Sequence, residues 1–243
     1  MTTTTLPIPG PRTTPTTRPA GSSTTAAGTA AAGSCTAPNP PAVHLPAPVI
    51  DNRPVYLAWA GAWLVGHGAT ALAGGDDPVV AMPGWLPPLL LIAGVLAALS
   101  LTVVRSVADK RRMHGEQEQT AAMLGNAWVV GFLGLGALIT GASVATGDSS
   151  LQSLLWPTGS ALVVGMLYTA GGAAYRDRVQ YALGTYLAVV GAAAVTLGGT
   201  GSTALLATVG VAGYLAAAGA EPRRVAAART ARRPVPVAGT TAR

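Results

Sequence analysis

The sequence predicts an all-α polytopic membrane protein, a bundle of six transmembrane helices with both termini in the cytoplasm. Half of the 243 residues are hydrophobic and a tenth are charged, whereas soluble domains carry about a quarter charged residues. Six long apolar runs each approach the ~20 residues that a helix needs to cross a ~30 Å hydrocarbon core. Basic residues gather beside alternate ends of these runs, which predicts the orientation.

The chain divides into three parts. Residues 1–52 are rich in Thr, Pro, Ala, Ser and Gly. A segment with so few large apolar side chains predicts a disordered tail, with a Pro-rich docking segment as the alternative. Residues 53–221 hold the predicted six-helix transmembrane domain, and residues 222–243 form a basic cytoplasmic tail.

The first two runs are 55–74 and 85–104, and a short link without Lys or Arg separates them. Pro87 and Pro88 fall in the first turn of the second run. The missing N–H of proline costs little there, because the first N–H groups of a helix have no partner within the helix. The two prolines therefore predict a helix start.

The third run, 127–146, is the clearest predicted span, because it contains no ionisable side chain and no proline. A polar connection at 105–126 precedes it and predicts either a helical extension or a surface helix. The remaining runs follow at about 154–174, 179–197 and 203–220.

Basic residues set the predicted orientation. Twelve of the fifteen Lys and Arg residues lie close to the end of a run. They are Arg53, Arg105, Lys110, Arg111, Arg112, Arg176, Arg178, Arg223, Arg224, Arg229, Arg232 and Arg233. The other connections carry Asp76, Asp77 and Asp148 instead. Six helices with both ends inside place every one of these basic residues in the cytoplasm.

Signatures of catalysis are absent from the sequence. It has no G-x-x-x-x-G-K-[ST], no H-E-x-x-H and no G-x-S-x-G pattern. The three histidines, His44, His67 and His114, are scattered and predict no metal site. The net charge of +6 follows the topology rule rather than a nucleic-acid footprint. We therefore expect no enzyme, no cofactor, no metal and no nucleic-acid partner.

His67 is a strongly polar residue well inside a predicted span, and such residues are functional candidates by default. Trp63 lies one turn earlier on the same helix face. One hypothesis is a pathway lined by His67, Trp63, Thr140 and Ser143. The alternative is a neutral imidazole that packs between helices, bonded to a backbone group or to the hydroxyl of Thr140 or Ser143.

The predicted spans contain no Asp, Glu, Lys or Arg. Ion-coupled pumps commonly carry a carboxylate at mid-membrane depth. This absence favours a passive conduit, a partner-driven subunit or a scaffold over a self-sufficient pump. Small residues four apart, such as Ala62 with Gly66 and Gly165 with Thr169, predict close helix packing or a homo-oligomer face.

Four segments carry a family resemblance: PGWLPPLLLIAGV (83–95), MLGNAWVVGF (123–132), LLWPTGSALVVGMLY (154–168) and YALGTYLAVV (181–190). With them the chain resembles six-span actinobacterial membrane proteins that are described as ABC-transporter permease-like. The resemblance implies a permease-type subunit that works with a separate ATP-binding subunit. GYLAAAGAE (213–221) is similar to the last helix of acetate-uptake transporters, although their Asn-Pro-Ala-Pro-Leu-Gly stretch is not found here.

We therefore expect a transport-associated, permease-like subunit in the plasma membrane, without a catalytic site. The expected partners are the lipid bilayer, an ATP-binding subunit and a second copy of the chain. The predicted cytoplasmic contacts are Arg176, Asp177, Arg178, Arg111 and Arg112, whose alternative role is that of solvated loops. The alternative functions are a non-transporting scaffold or sensor and a passive small-solute channel.

Overall fold

Six helices form the regular structure of the residues that the structure describes, which are 49–113 and 115–231. The computed structural model contains α1 Arg53–Ala73, α2 Leu86–Lys110, α3 Glu116–Thr146, α4 Ser150–Ala174, α5 Arg178–Leu197 and α6 Gly199–Ala231. One π turn, Leu206–Gly210, interrupts α6. No strand occurs in these two ranges, and the predicted all-α class is confirmed.

Proline and glycine mark several helix ends. Pro54 lies in the first turn of α1, and Pro87 and Pro88 lie in the first turn of α2. α3 ends at Gly147, whose φ of 68° is a left-handed conformation that glycine adopts without a Cβ penalty. Each of the six predicted runs corresponds to one helix.

α2 and α3 are longer than their predicted runs. α2 continues through Arg105 to Lys110, and α3 begins at Glu116. The polar connection is therefore a helical extension on both sides of a short turn, and the surface-helix alternative is wrong. Glu116 and Glu118 lie in the first turn of α3, where negative charge is favourable at the positive end of the helix dipole.

α6 also passes its predicted end. The sixth run stops at 220, but the helix continues to Ala231, so the first ten residues of the predicted basic tail are helical. Glu221 is buried and pairs with Arg224 one turn later, which supports a further helical turn. Residues 1–48 of the predicted N-terminal tail and residues 232–243 of the C-terminal tail lie outside the described residues.

α1, α4, α5 and α6 share the hydrophobic core. α2 packs against α1, where the Trp59 indole N–H donates to the Thr102 hydroxyl at 3.1 Å. α3 packs against α4. The bundle therefore consists of four central helices with α2 and α3 at its sides.

α4 and α5 meet backbone to backbone. We call this contact the glycine interface; its glycines are Gly165 and Gly172 of α4 and Gly184 and Gly191 of α5. A Cβ added at Gly165 would lie 2.3 Å from the Ala188 nitrogen, where no side chain fits. Close backbone approach of this kind stabilises helix pairs in lipid, because the hydrophobic effect does not drive them together there.

Five helices, α2 to α6, are long and apolar enough to cross a membrane, by length and composition. This pattern is that of a multi-pass membrane protein. Among the described helices α1, which contains His67 and two tryptophans, does not meet the same measure. α1 packs between α2 and α6, so these polar groups contact protein. Its crossing of the membrane stays a prediction.

Candidate functional site

α1 and α6 pack antiparallel along the length of α1, and we call this contact the polar seam. Four close pairs fix its register: Asn52 with Glu221, Trp63 with Gly210, Gly68 with Ala207, and Gly74 with Thr200. From Asn52 to Gly74 the seam extends roughly 33 Å at ~1.5 Å per residue. That length matches the ~30 Å hydrocarbon core of a bilayer, so the seam connects the two ends of the bundle.

Arg224 joins three chain segments at one end of the seam, which we call the charged end. Its Nε and Nη2 donate to the Glu221 carboxylate at 2.9 and 2.6 Å. Its Nη1 lies 3.3 Å from Asp177 Oδ2, and Nη2 also donates to the Ile50 carbonyl. Glu221 is 0 % exposed and also accepts the Asn52 N–H at 2.7 Å. The network ties α6 to the start of α5 and to the entry of α1.

Asp177 has a second role as the N-cap of α5. Its Oδ1 accepts the N–H groups of Val179 and Gln180 at 3.0 and 3.1 Å, two donors that a helix start leaves free. The preceding residue, Arg176, has a φ of 54°, which is uncommon outside glycine. This tight turn directs the second carboxylate oxygen of Asp177 toward Arg224.

Aromatic rings extend the seam from the charged end into the bundle. Tyr56 of α1, Tyr168 of α4 and Tyr214 of α6 form what we call the tyrosine cluster. Tyr168 contacts Tyr56 and Tyr214 edge to face, with ring centroids 6.5 and 6.4 Å apart. Trp63 lies 5.3 Å from Tyr214, and His67 lies 5.4 Å from Trp63. These favourable edge contacts form a continuous column of rings.

Three buried polar atoms of this column have no hydrogen-bond partner among the described residues: Tyr56 Oη, Tyr214 Oη and His67 Nδ1. An unpaired buried polar group costs about 1–3 kcal/mol. Three such groups on one column make the polar seam the candidate site, since each requires an explanation beyond packing.

α6 departs from α-helical geometry where it meets Trp63. The π turn, Leu206–Gly210, lies opposite the indole, and π turns are frequent at functional sites. A Cβ at Gly210 would lie 2.7 Å from Trp63 Cζ3, so the ring occupies the space that the glycine leaves. The Tyr186 hydroxyl of α5 donates to the Val209 carbonyl at 2.9 Å, which satisfies an acceptor within the π turn.

A cavity of about 600 Å³, which we call the chamber, opens at the charged end. Residues of both charges line it: Asp109, Lys110, Asp177 and Arg224. Trp128 of α3 and Leu167 of α4 contribute apolar surface. The Trp128 ring also contacts Tyr168, with ring centroids 5.6 Å apart. The chamber therefore adjoins the tyrosine cluster.

The structure brings His67 and Trp63 together but does not bring Thr140 and Ser143 to them. Thr140 is exposed on α3. The Ser143 hydroxyl donates to the Asp148 carbonyl at 2.9 Å, and the Gln152 amide approaches it at 3.4 Å. Because Ser143 is engaged at the α3–α4 turn and His67 Nδ1 has no partner there, the predicted hydrogen bond is not formed.

The predicted cytoplasmic contacts also fall into two groups. Arg111, Arg112, Arg176 and Arg178 are exposed, and their role toward a partner stays a prediction. Asp177 is 8 % exposed and binds Arg224 within the chain. Asp177 therefore supports the charged end from inside and is not a free surface contact.

Tyr214, Glu221 and Arg224 are site residues that were not among the predicted site residues. A spacing of seven and then three residues places them on one face of α6. Tyr56, Trp63 and His67 recur on one face of α1 at spacings of seven and four. This shared pattern of polar and aromatic residues on the first and last runs is a signal that identifies the seam.

Across 49–113 and 115–231, no group of three or more His, Cys, Asp or Glu residues is placed to hold a metal ion. The site therefore consists of hydroxyls, one imidazole and an ionic network. No protein-family model, no curated protein and no solved structure matches the chain.

Proposed function

We propose that the protein is a transport-associated, permease-like subunit that crosses the plasma membrane six times with its charged end in the cytoplasm. The chamber is the observation that carries this proposal. A scaffold needs no cavity of about 600 Å³ inside its bundle. A passive channel needs an open path, whereas rings fill the polar seam beside the chamber. A solute-sized cavity at one end of a bundle without an open path supports a transport subunit.

The chamber supports a small polar solute as its occupant. Its volume lies within the roughly 300–1,000 Å³ that is typical of small-molecule sites. Asp109 and Lys110 of α2 and Arg224 of α6 place both signs of charge on its wall. Trp128 adds an aromatic face. This lining suits a solute with polar groups and a compact apolar part.

Exposed arginines near the chamber support a cytoplasmic partner. Arg111 and Arg112 lie in the turn between α2 and α3, and Arg176 and Arg178 lie beside the turn between α4 and α5. Basic residues at this end agree with the rule that they remain in the cytoplasm. The partner is an ATP-binding subunit, and this chain contributes no catalytic residue and no cofactor site.

Copurification tests the proposal. The protein is extracted from its native membrane in mild detergent, and associated proteins are quantified by mass spectrometry. We expect a stoichiometric ATP-binding subunit, and we expect its loss when Arg111, Arg112, Arg176 and Arg178 are all changed to Gln. Arg229→Gln, at another exposed arginine, is the matched control and keeps the partner. Folded protein that carries no such subunit contradicts the permease role.

A further inference from the structure

We propose that the polar seam is a proton relay, in which protons pass between the charged end and His67 through the tyrosine cluster while Trp63 closes the path at rest. This inference goes beyond the permease role, because proton flux along the seam requires neither the ATP-binding subunit nor the solute of the chamber. It identifies one function for the three polar atoms that packing leaves without partners.

Three tyrosine rings lead from the charged end toward the centre of the seam. Tyr56 lies one turn after Asn52, whose N–H binds Glu221 at the charged end. The rings of Tyr56, Tyr168 and Tyr214 then follow one another, with centroids 6.5 and 6.4 Å apart. Tyr56 and Tyr214 are 2 % and 0 % exposed. Buried hydroxyls without protein partners are sites that ordered water occupies. Tyrosine hydroxyls bridged by water both donate and accept hydrogen bonds, as a relay requires.

Hydroxyl groups also line the seam on the other side of His67. Thr70 of α1 donates to the Gly66 carbonyl at 2.9 Å. Ser202 and Thr203 of α6 are buried and donate to carbonyls of their own helix at 2.8 and 3.0 Å. Each hydroxyl keeps lone pairs that accept a further hydrogen bond. His67 therefore lies between a tyrosine arm and a Ser/Thr arm.

The residues on either side of His67 in α1 meet apolar side chains. Gly66 packs on Leu91 of α2, and Gly68 lies opposite Ala207 of α6. The ionisable residues of α2, which are Arg105, Asp109 and Lys110, lie toward the charged end. The titratable side chain of α6 nearest in the column is Tyr214, beyond Trp63. An unpaired buried cation is costly, so the imidazolium is a transient state.

Each proton transfer balances without a redox partner. A hydronium ion at the charged end gives its proton to a tyrosine oxygen, as the original hydroxyl proton leaves for the next water. One O–H bond forms and one breaks, so the tyrosine stays neutral. The Nδ1 lone pair of His67 accepts the arriving proton, and the other ring nitrogen releases one toward the Ser/Thr arm. Exchange of the two N–H positions then restores the imidazole.

Trp63 separates the two arms. Its ring contacts Tyr214 on one side and His67 on the other, at 5.3 and 5.4 Å between ring centroids. It is 5 % exposed and fits against Gly210 in the π turn. An indole offers one N–H donor and no acceptor, so it cannot pass a proton along the chain. Displacement of this ring is the step that connects the arms.

Proton flux through the purified chain tests the relay. The protein is reconstituted in phosphatidylcholine–phosphatidylglycerol vesicles that hold a trapped pH dye, and a potassium gradient with valinomycin drives protons. We expect Trp63→Ala to raise the flux about tenfold above that of the wild type. Adding His67→Gln or Tyr214→Phe to Trp63→Ala lowers the flux about tenfold again. Adding Tyr181→Phe, at an exposed tyrosine of α5, leaves it unchanged.

Two results overturn the relay. One is a folded Trp63→Ala protein with no more flux than protein-free vesicles; Trp63→Phe, which keeps a smaller ring, replaces it where the alanine variant does not fold. The other is a proton flux through Trp63→Ala that does not fall when His67→Gln or Tyr214→Phe is added. A flux accompanied by leakage of the trapped dye overturns the relay in the same way. If an ATP-binding subunit copurifies but no proton flux is measured, the relay is contradicted and the permease role is not. If proton flux is measured but no such subunit copurifies, the permease role is contradicted and the relay is not.

Discussion

The glycine interface and the polar seam are two helix contacts in one core, and they are built in opposite ways. In the glycine interface, Gly165 of α4 approaches the backbone of α5 so closely that a Cβ would lie 2.3 Å from a backbone nitrogen. In the polar seam, the large rings of Trp63 and Tyr214 separate α1 from α6. The first contact joins the two backbones directly, and the second packs large rings between its helices.

The two interfaces also differ in whether their polar groups have hydrogen-bond partners. In the glycine interface, Thr158 and Thr169 donate to carbonyls of their own helix at 2.7 and 2.9 Å. In the polar seam, the Tyr56 and Tyr214 hydroxyls and the His67 imidazole keep unpaired atoms. Satisfied groups stabilise a packed contact, whereas unpaired buried groups reduce stability. The bundle thus keeps a rigid support in α4–α5 and concentrates its unpaired polar groups in α1–α6.

The largest expected loss of stability comes from a substitution at the charged end of the polar seam. Arg224→Met leaves Glu221 buried without its cation, and loss of one partner of a buried ion pair costs about 3–5 kcal/mol. Arg223→Met changes an exposed neighbour and is the matched control. Thermal unfolding in detergent measures both variants, and we expect Glu221→Gln added to Arg224→Met to recover part of the loss. Equal stability of the two methionine variants would show that the network does not support the fold.

A pair of glycine substitutions compares the two interfaces directly. Gly165→Ala places a methyl group against the backbone of α5 and is expected to cost about 1–3 kcal/mol. Gly68→Ala places the same group 4.0 Å from the Ala207 Cβ, in ordinary contact. There we expect no loss, or a gain below about 1 kcal/mol from the better helix propensity of alanine. Thermal unfolding that ranks the variants in the reverse order contradicts the assignment of α4–α5 as the rigid support.

The smallest expected effect is on the pKa of Asp148, a residue that lies in neither interface. Hydrogen bonds from the Ser150 hydroxyl and N–H lower the pKa of Asp148 in the α3–α4 turn. The folded state therefore binds this proton less tightly than the unfolded chain. The stabilisation is complete above the unfolded pKa and is lost as the pH falls through the folded pKa.

Ser150→Ala removes the stronger of these bonds, so the pKa of Asp148 should rise toward its ordinary value of about 3.9. NMR titration of the Asp148 side chain carboxyl measures the shift. Asn126→Ala, distant along α3, is a control that should leave this pKa unchanged. A titration that is identical in the wild type and Ser150→Ala would remove the hydroxyl as the cause.

Apolar runs and helix-end residues are sufficient to predict six helices, because lipid permits few ways to satisfy a backbone. The same apolar runs do not predict that α6 continues past Glu221, since an apolar run ends at its first charged residue. Burial of that carboxylate depends on Asn52 and Arg224, whose proximity is a tertiary fact. The exposed position of Thr140 on α3 could not be predicted for the same reason, because helix neighbours are not encoded in the composition of one run.

The π turn is a second feature that local sequence does not reveal. Its residues, LATVG, form an ordinary apolar segment. The turn is coupled to Trp63 on one side and to the Tyr186 hydroxyl on the other. Prediction of this π turn requires the contacts of three helices, α1, α5 and α6.

The register of α1 with α6 also bears on the order in which the chain is made. Among the described helices, α1 is synthesised before α6, and α2 to α5 are synthesised between them. His67 and the Tyr56 hydroxyl therefore lack their seam partner until α6 is made. During that interval α2 is the neighbour in place, through Gly94 against Ala62. The pairing most distant in sequence therefore closes last, and closure entropy makes it the slowest contact to form.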